Sequence, residues 1–187
     1  MTARYVLWGF LALPAIVMMQ RYAVDTLSYG EVIHESGIWS VRLLILTMAV
    51  TPLRVAFGNV RWTGWLLRQR RAFGVATFAY ALLHTVVYVA RKVDIGLMIE
   101  EAMEPDLAIG WMGFAVFAVL ALTSNDASVR LLRRKWKPVH RLVYVGALLM
   151  LAHWYLAAFD PALAYVYFAI LAALEAARMI LPLVRQR

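Results

Sequence analysis

The chain contains no cysteine. That absence excludes disulfides, thiolate zinc sites, iron–sulfur clusters and thioether-attached c-type haem. Any metal or prosthetic group must then be held by histidine, methionine, carboxylate or packing. Histidine is scarce as well, with four among 187 residues. No GxGxxG or Walker motif occurs, so the chain has no visible nucleotide-binding domain of its own. Neither a Ser/His/Asp nor a metallohydrolase constellation is present, and no catalytic residue is assigned. The alternating ten-residue strands of a membrane barrel are also missing.

What the chain does have is apolar length. Hydrophobic residues make up 64% of it and the mean hydropathy is +0.70, against roughly 45–50% apolar residues in a soluble domain. The excess comes in runs near the ~20 residues that carry a helix across ~30 Å of hydrocarbon. The expected class is therefore all-α: an integral membrane bundle of six transmembrane helices, at about 4–22, 38–57, 71–90, 108–124, 138–158 and 161–183. Residues 1–187 are read as a single transmembrane domain. Met1–Gln20 has the look of a signal peptide with Arg4 as its basic flank, but Met18, Met19, Gln20 and Arg21 stand where small residues would mark cleavage. A retained first helix is expected.

The net charge of +8 does not indicate nucleic acid, because the basic residues sit at the ends of apolar runs. Arg54, Arg61, Arg68, Arg70 and Arg71 lie between the second and third helices with no acid among them. Arg130, Arg133, Arg134, Lys135, Lys137 and Arg141 follow the fourth helix against Asp126 alone, and Arg185 and Arg187 end the chain. The remaining loops are acidic, with Asp25, Glu31 and Glu35 in one and Asp94, Glu100, Glu101, Glu104 and Asp106 in another. The positive-inside rule then places both termini and both basic loops in the cytoplasm. Trp62, Trp65 and Trp136 fall at that edge, and Trp39, Trp111 and Trp154 toward the other.

The histidines are His34, His84, His140 and His153. Ionisable residues inside a membrane are costly and usually face a cavity, a partner or a cofactor. His84 lies 13 residues past Arg71 and His153 lies 13 past His140, so at about 1.5 Å per residue each is about 20 Å from the basic edge. Two imidazoles at matched depth, on helices running the same way, are what a six-coordinate haem needs. The plainer alternative is that each makes an interhelical hydrogen bond. His140 follows Pro138 at the basic interface, about 140° around a straight helix from His153. It is expected to serve a second redox or flavin site, or only to cap a helix. Arg70 and Arg71, which lie nearest in the third helix, are poor metal ligands, so one haem is expected rather than two. His34 precedes the second helix in this reading and is expected at the outer interface. Methionines such as Met48, Met112 and Met150 are read as packing or lipid-facing.

The basic stretches RWTGWLLRQRR (61–71) and RLLRRKWKPVHR (130–141) serve topology and anionic lipid contact. Arginine forks there also suit a flavin phosphate or an acidic soluble reductase.

Several motifs together carry a resemblance. They are TPLR (51–54), RRAFG (70–74), the pair His84 and Tyr88, LALTS (120–124), and WKPVHRLVY (136–144) followed by His153. The chain resembles the MsrQ family, the haem-binding membrane subunits of the bacterial periplasmic methionine sulfoxide reductase system, within the wider ferric-reductase-like transmembrane family. The resemblance implies haem b held by His84, His140 and His153, with FMN in some arrangement near the basic loops. It implies electrons arriving from a cytoplasmic flavin reductase or quinol. They leave to a periplasmic molybdenum-cofactor methionine sulfoxide reductase, across the bacterial inner membrane. The chain would then be an electron-transfer subunit rather than a stand-alone enzyme. Where the family suggests a basic motif between the third and fourth helices, this sequence has EEAMEPDLAIGW (100–111). The acceptor therefore stays open between that reductase and ferric iron, oxygen or another periplasmic enzyme. A non-redox small transporter or assembly subunit is the alternative from another class.

Overall fold

The computed structural model describes residues 2–92, 94–158 and 160–185, with the side chains of 5–92, 94, 96–158 and 160–180. Arg187 lies outside the described residues, and so does the side chain of Arg4. Among the described residues eight α-helices follow in order: α1 (Thr2–Ala23), α2 (Tyr29–Phe57), α3 (Arg61–Ala90), α4 (Ile95–Ala102), α5 (Pro105–Leu122), α6 (Asp126–Leu132), α7 (Trp136–Ala157) and α8 (Ala162–Arg185). A 3-10 turn at Arg133–Lys135 joins α6 to α7. No strand occurs among the described residues. Among the described residues six segments are long and apolar enough to cross a membrane, in α1, α2, α3, α5, α6–α7 and α8.

Two helices start earlier than their hydrophobic runs suggest, and local capping explains both. Ser28 accepts from the Glu31 amide at 3.3 Å, and Glu31 accepts from the Ser28 amide at 2.7 Å. This capping box begins α2 at Tyr29 rather than near 38, so His34 stands inside the helix instead of ahead of it. Gly58, at φ 76, ends α2 in a backbone region that favours glycine. Thr63 then donates to the Gly58 carbonyl at 2.8 Å and accepts from the Val60 amide at 3.2 Å. That turn opens α3 at Arg61, so the stretch 61–71 is helix and not loop. α4 is an element the apolar pattern does not announce, and Asp94 caps it through the amides of Gly96 and Leu97.

α2 is the central helix. Half of its apolar window is buried, against 6% for α1 and 11% for α8. Val41, Leu44 and Met48 of α2 meet Phe117 and Leu120 of α5, Ala147 and Leu151 of α7 and Leu171 of α8 in one cluster. Lipid is as apolar as these side chains, so close packing and interhelical hydrogen bonds carry the association. Small residues mark the tight seams. Ser40 of α2 donates to the Thr77 carbonyl of α3 at 2.8 Å, and a Cβ on Gly146 would come within 3.1 Å of Phe117 and Val116. α1 is tied in by one side chain. The Tyr80 hydroxyl accepts from the Ala15 amide at 3.0 Å and donates to the Leu11 carbonyl at 2.9 Å, bridging a pair that a regular helix bonds directly.

Candidate functional site

His84 and His153 come from α3 and α7, each near the C-terminal end of its helix, and the fold brings them together. Their ring centroids are 6.3 Å apart and their planes stand at 85°. Each ring is held by a backbone carbonyl of a third or fourth helix. His84 Nδ1 is 2.9 Å from the Ile33 oxygen on α2, and His153 Nδ1 is 2.7 Å from the Asp106 oxygen on α5. A carbonyl only accepts, so Nδ1 carries the proton in both rings and Nε2 keeps its lone pair. That tautomer is the one in which a ligating imidazole is oriented by its second nitrogen.

The spacing is informative. A metal–imidazole bond is about 2.0 Å and a ring nitrogen lies about 1.1 Å from its ring centre, so imidazoles on opposite sides of one metal have centres about 6.2 Å apart. The observed 6.3 Å fits that arrangement, and a direct His–His hydrogen bond is not formed. Among the described residues no three His, Cys, Asp or Glu side chains gather as a metal site. Two protein ligands alone do not close a tetrahedral or octahedral site, and a macrocycle is one group that would supply the remaining positions. The apolar surroundings are compatible with one. A cavity of about 260 Å³ opens between α2, α3, α5 and α7, walled by Ile38, Val41, Ala81, Phe114, Phe117 and Met150, with Trp111 and Trp154 beside them.

Toward the acidic end of the bundle the cavity meets Tyr88 and His34. The Tyr88 hydroxyl donates to Glu101 of α4 at 3.0 Å, and Lys92 also bonds that carboxylate. The Lys92 ammonium lies 4.9 Å from the centre of the Tyr88 ring. The bond from Lys92, and then the bond from Tyr88, hold the Glu101 carboxyl below the usual carboxylate range. The same bond raises Lys92 above the usual ammonium value. His34 is exposed on α2, with its ring edge-on to Trp154 at 6.4 Å.

The structure does not bring His140 to this pair. It lies near the start of α7, about 20 Å along the helix from His153. Its ring stacks on Trp136 at 4.0 Å and its Nε2 is 3.1 Å from the Thr123 hydroxyl. Trp136 donates to the Thr123 carbonyl at 3.0 Å, so both rings cover the end of α5. Arg70 and Arg71 lie within electrostatic reach of His140. Arg70 is half-buried and reaches the Thr51 hydroxyl at 3.5 Å, whereas Arg71 pairs with Asp126 at 2.6 Å. His84 and His153 were therefore legible as a pair. The carbonyls of Ile33 and Asp106 were not, because any residue supplies a carbonyl. The only sequence signal for them is that two otherwise unsatisfied buried imidazole N–H groups need acceptors.

Residues 36–151 match the model of the ferric reductase like transmembrane component. That span contains His84 and His140 and ends two residues before His153. The chain is also similar to proteins named as the heme-binding subunit MsrQ of protein-methionine-sulfoxide reductase, from Brucella ovis, Brucella canis and Brucella melitensis biotype 2. Each is 38% identical over 158 residues, which covers 82% of this chain and 70% of the relative. No solved structure matches.

Proposed function

Because this chain belongs to the ferric reductase like transmembrane component family and is MsrQ-like, we propose that it is a membrane b-type cytochrome. In this reading it passes electrons from a cytoplasmic flavin reductase or quinol to a periplasmic methionine sulfoxide reductase. The observation that carries the proposal is the 6.3 Å spacing of two imidazoles whose Nδ1 atoms are both bonded to carbonyls. His84 and His153 would hold the haem iron through their Nε2 atoms. Haem b, when bound, supplies reversible one-electron chemistry at its iron. The chain fixes the tautomer and orientation of both ligands and keeps water away with aromatic and aliphatic walls. Low polarity around the ligands disfavours the extra charge of the oxidised form and so raises the potential. Neither imidazole has a proton to move, since each Nδ1–H is already donated.

At the basic end, His140 with Arg70 and Arg71 forms the second redox or flavin site. The arginines are suited to the phosphate of FMN through forked donors, and Arg71 exchanges Asp126 for it. The loop charges support cytoplasmic termini, the short loops support a single domain over 1–187, and the location in this reading is the bacterial inner membrane. The partners are a molybdenum-cofactor methionine sulfoxide reductase outside and a flavin reductase or quinol inside, with no nucleic acid.

The test is a reconstitution. Purified protein reduced by flavin reductase and NADH is expected to reoxidise when the periplasmic reductase and methionine sulfoxide are added together. Rapid reoxidation by ferric chelate or oxygen, with none by that pair, would favour a ferric-reductase-like carrier with another acceptor. The acidic α4 region is the observation behind that second reading.

A further inference from the structure

Both carbonyls that hold the histidines are followed, four residues later, by glycine: Ile33 by Gly37 on α2, and Asp106 by Gly110 on α5. The repetition has a geometric cause. In an α-helix the carbonyl of residue i faces the N–H of residue i+4. Side chains lean toward the helix N-terminus, so the side chain at i+4 overhangs that carbonyl. Any Cβ there stands in the path of an outside donor.

The distances show how closely each ring uses the bare position. A Cβ on Gly110 would lie 2.8 Å from His153 Nδ1, 2.9 Å from Cε1 and 3.1 Å from Cγ. A Cβ on Gly37 would lie 3.4 Å from His84 Nδ1 and 3.6 Å from Cε1. The other glycines meet no histidine. Gly113, one turn beyond Gly110, would meet Leu149 Cβ at 3.4 Å, which is helix packing. Gly9 and Gly30 would meet nothing within 4 Å.

From these contacts we infer that Gly37 and Gly110 are positioning residues for the two axial imidazoles, each leaving a carbonyl four residues earlier open to a ligand's Nδ1–H. The inference rests on the haem reading above. Gly110 is the stricter of the two, because the His153 ring has to leave the Asp106 carbonyl if a methyl is added. His84 needs to give only a few tenths of an ångström.

The experiment uses full-length protein in detergent, with haemin titration, optical spin state and electron paramagnetic resonance as readouts. Gly110→Ala is expected to weaken haem binding about 10–100-fold, the range for lost outer-shell support, and to convert the residual haem toward high spin. Gly37→Ala is expected to keep haem low-spin with altered g values and a shifted midpoint potential. Gly74→Ala, at the α2–α3 seam outside the cavity, where an added Cβ would meet Thr47 Cγ2 at 3.7 Å, is expected to match wild type. If Gly110→Ala aggregates, the contrast between Gly37→Ala and Gly74→Ala decides alone. Wild-type behaviour of folded Gly110→Ala, or of Gly37→Ala when it decides alone, overturns the assignment. So do equal changes in Gly37→Ala and Gly74→Ala. If His84→Ala and His153→Ala retain low-spin haem, the axial reading itself fails. If they lose it while the glycine variants do not change, only the glycine inference fails.

Discussion

At the scale of residues, the site depends on which nitrogen carries a proton. Nδ1 of each imidazole donates to a carbonyl, at 2.9 Å for His84 and 2.7 Å for His153, so both Nε2 atoms are available as ligands without deprotonation. Buried histidine in an apolar bundle invites this reading from sequence alone, and matched spacing from the basic edge pointed to the pair. The angle between the rings was not legible, since it depends on where two carbonyls of other helices fall. The two imidazole planes stand at 85°, and held at that angle by their carbonyls they would meet a haem iron nearly perpendicular to one another. Oxidised protein is therefore expected to give a strongly anisotropic low-spin signal in electron paramagnetic resonance, and a rhombic signal of nearly parallel imidazoles would contradict this geometry. His34 shows the opposite failure. Its hydropathic surroundings placed it before a helix, but the Ser28–Glu31 capping box put it within one. The Ser-x-x-Glu spacing that sets the helix start lies ahead of the apolar run, where hydropathy carries no signal.

At the scale of elements, the long helices were legible because composition sets them, and the short ones were not because a few cap residues set them. α4 spans eight residues and depends on Asp94 at its start and on Glu101 for docking. The pH behaviour of that docking follows in sign from two shifts. Glu101 is depressed, so its contribution is present above the ordinary carboxylate value and is lost as pH falls through its lowered one. Lys92 is raised, so its contribution is present below the ordinary ammonium value and is lost as pH rises through its raised one. Amide hydrogen exchange in α4, corrected for intrinsic rates, is expected to stay flat near neutrality. It should rise below about pH 4 and above about pH 10.5. Lys92→Ala should remove the alkaline rise and weaken the acid one. An α4 that exchanges identically in that variant would show that the pair does not hold it.

At the scale of the whole molecule, six spanning segments put the two imidazoles toward the acidic end of the bundle and His140 toward the basic end. The charge pattern that gave this arrangement needs no tertiary structure, so it was fully legible. The closure of α2, α3, α5 and α7 around a cavity was not, because every one of those helices is apolar on more than one face. The absence of cysteine makes orientation easy to check. Thr26→Cys, in the loop after α1, is expected to react with an impermeant maleimide in intact spheroplasts, and Ala127→Cys, on α6, only after permeabilisation. The reverse pattern would invert the proposed direction of electron flow. The central claim, that His84 and His153 ligate one haem between them, is tested most directly by a reduced-minus-oxidised absorbance spectrum with a pyridine haemochrome assay. These are run on wild type, His84→Ala, His153→Ala and His140→Ala. A b-type spectrum is expected, with low-spin bands that vanish in either of the first two variants and persist in His140→Ala. Colourless wild-type protein after haemin supplementation, or low-spin haem retained in His84→Ala and His153→Ala, would contradict the claim.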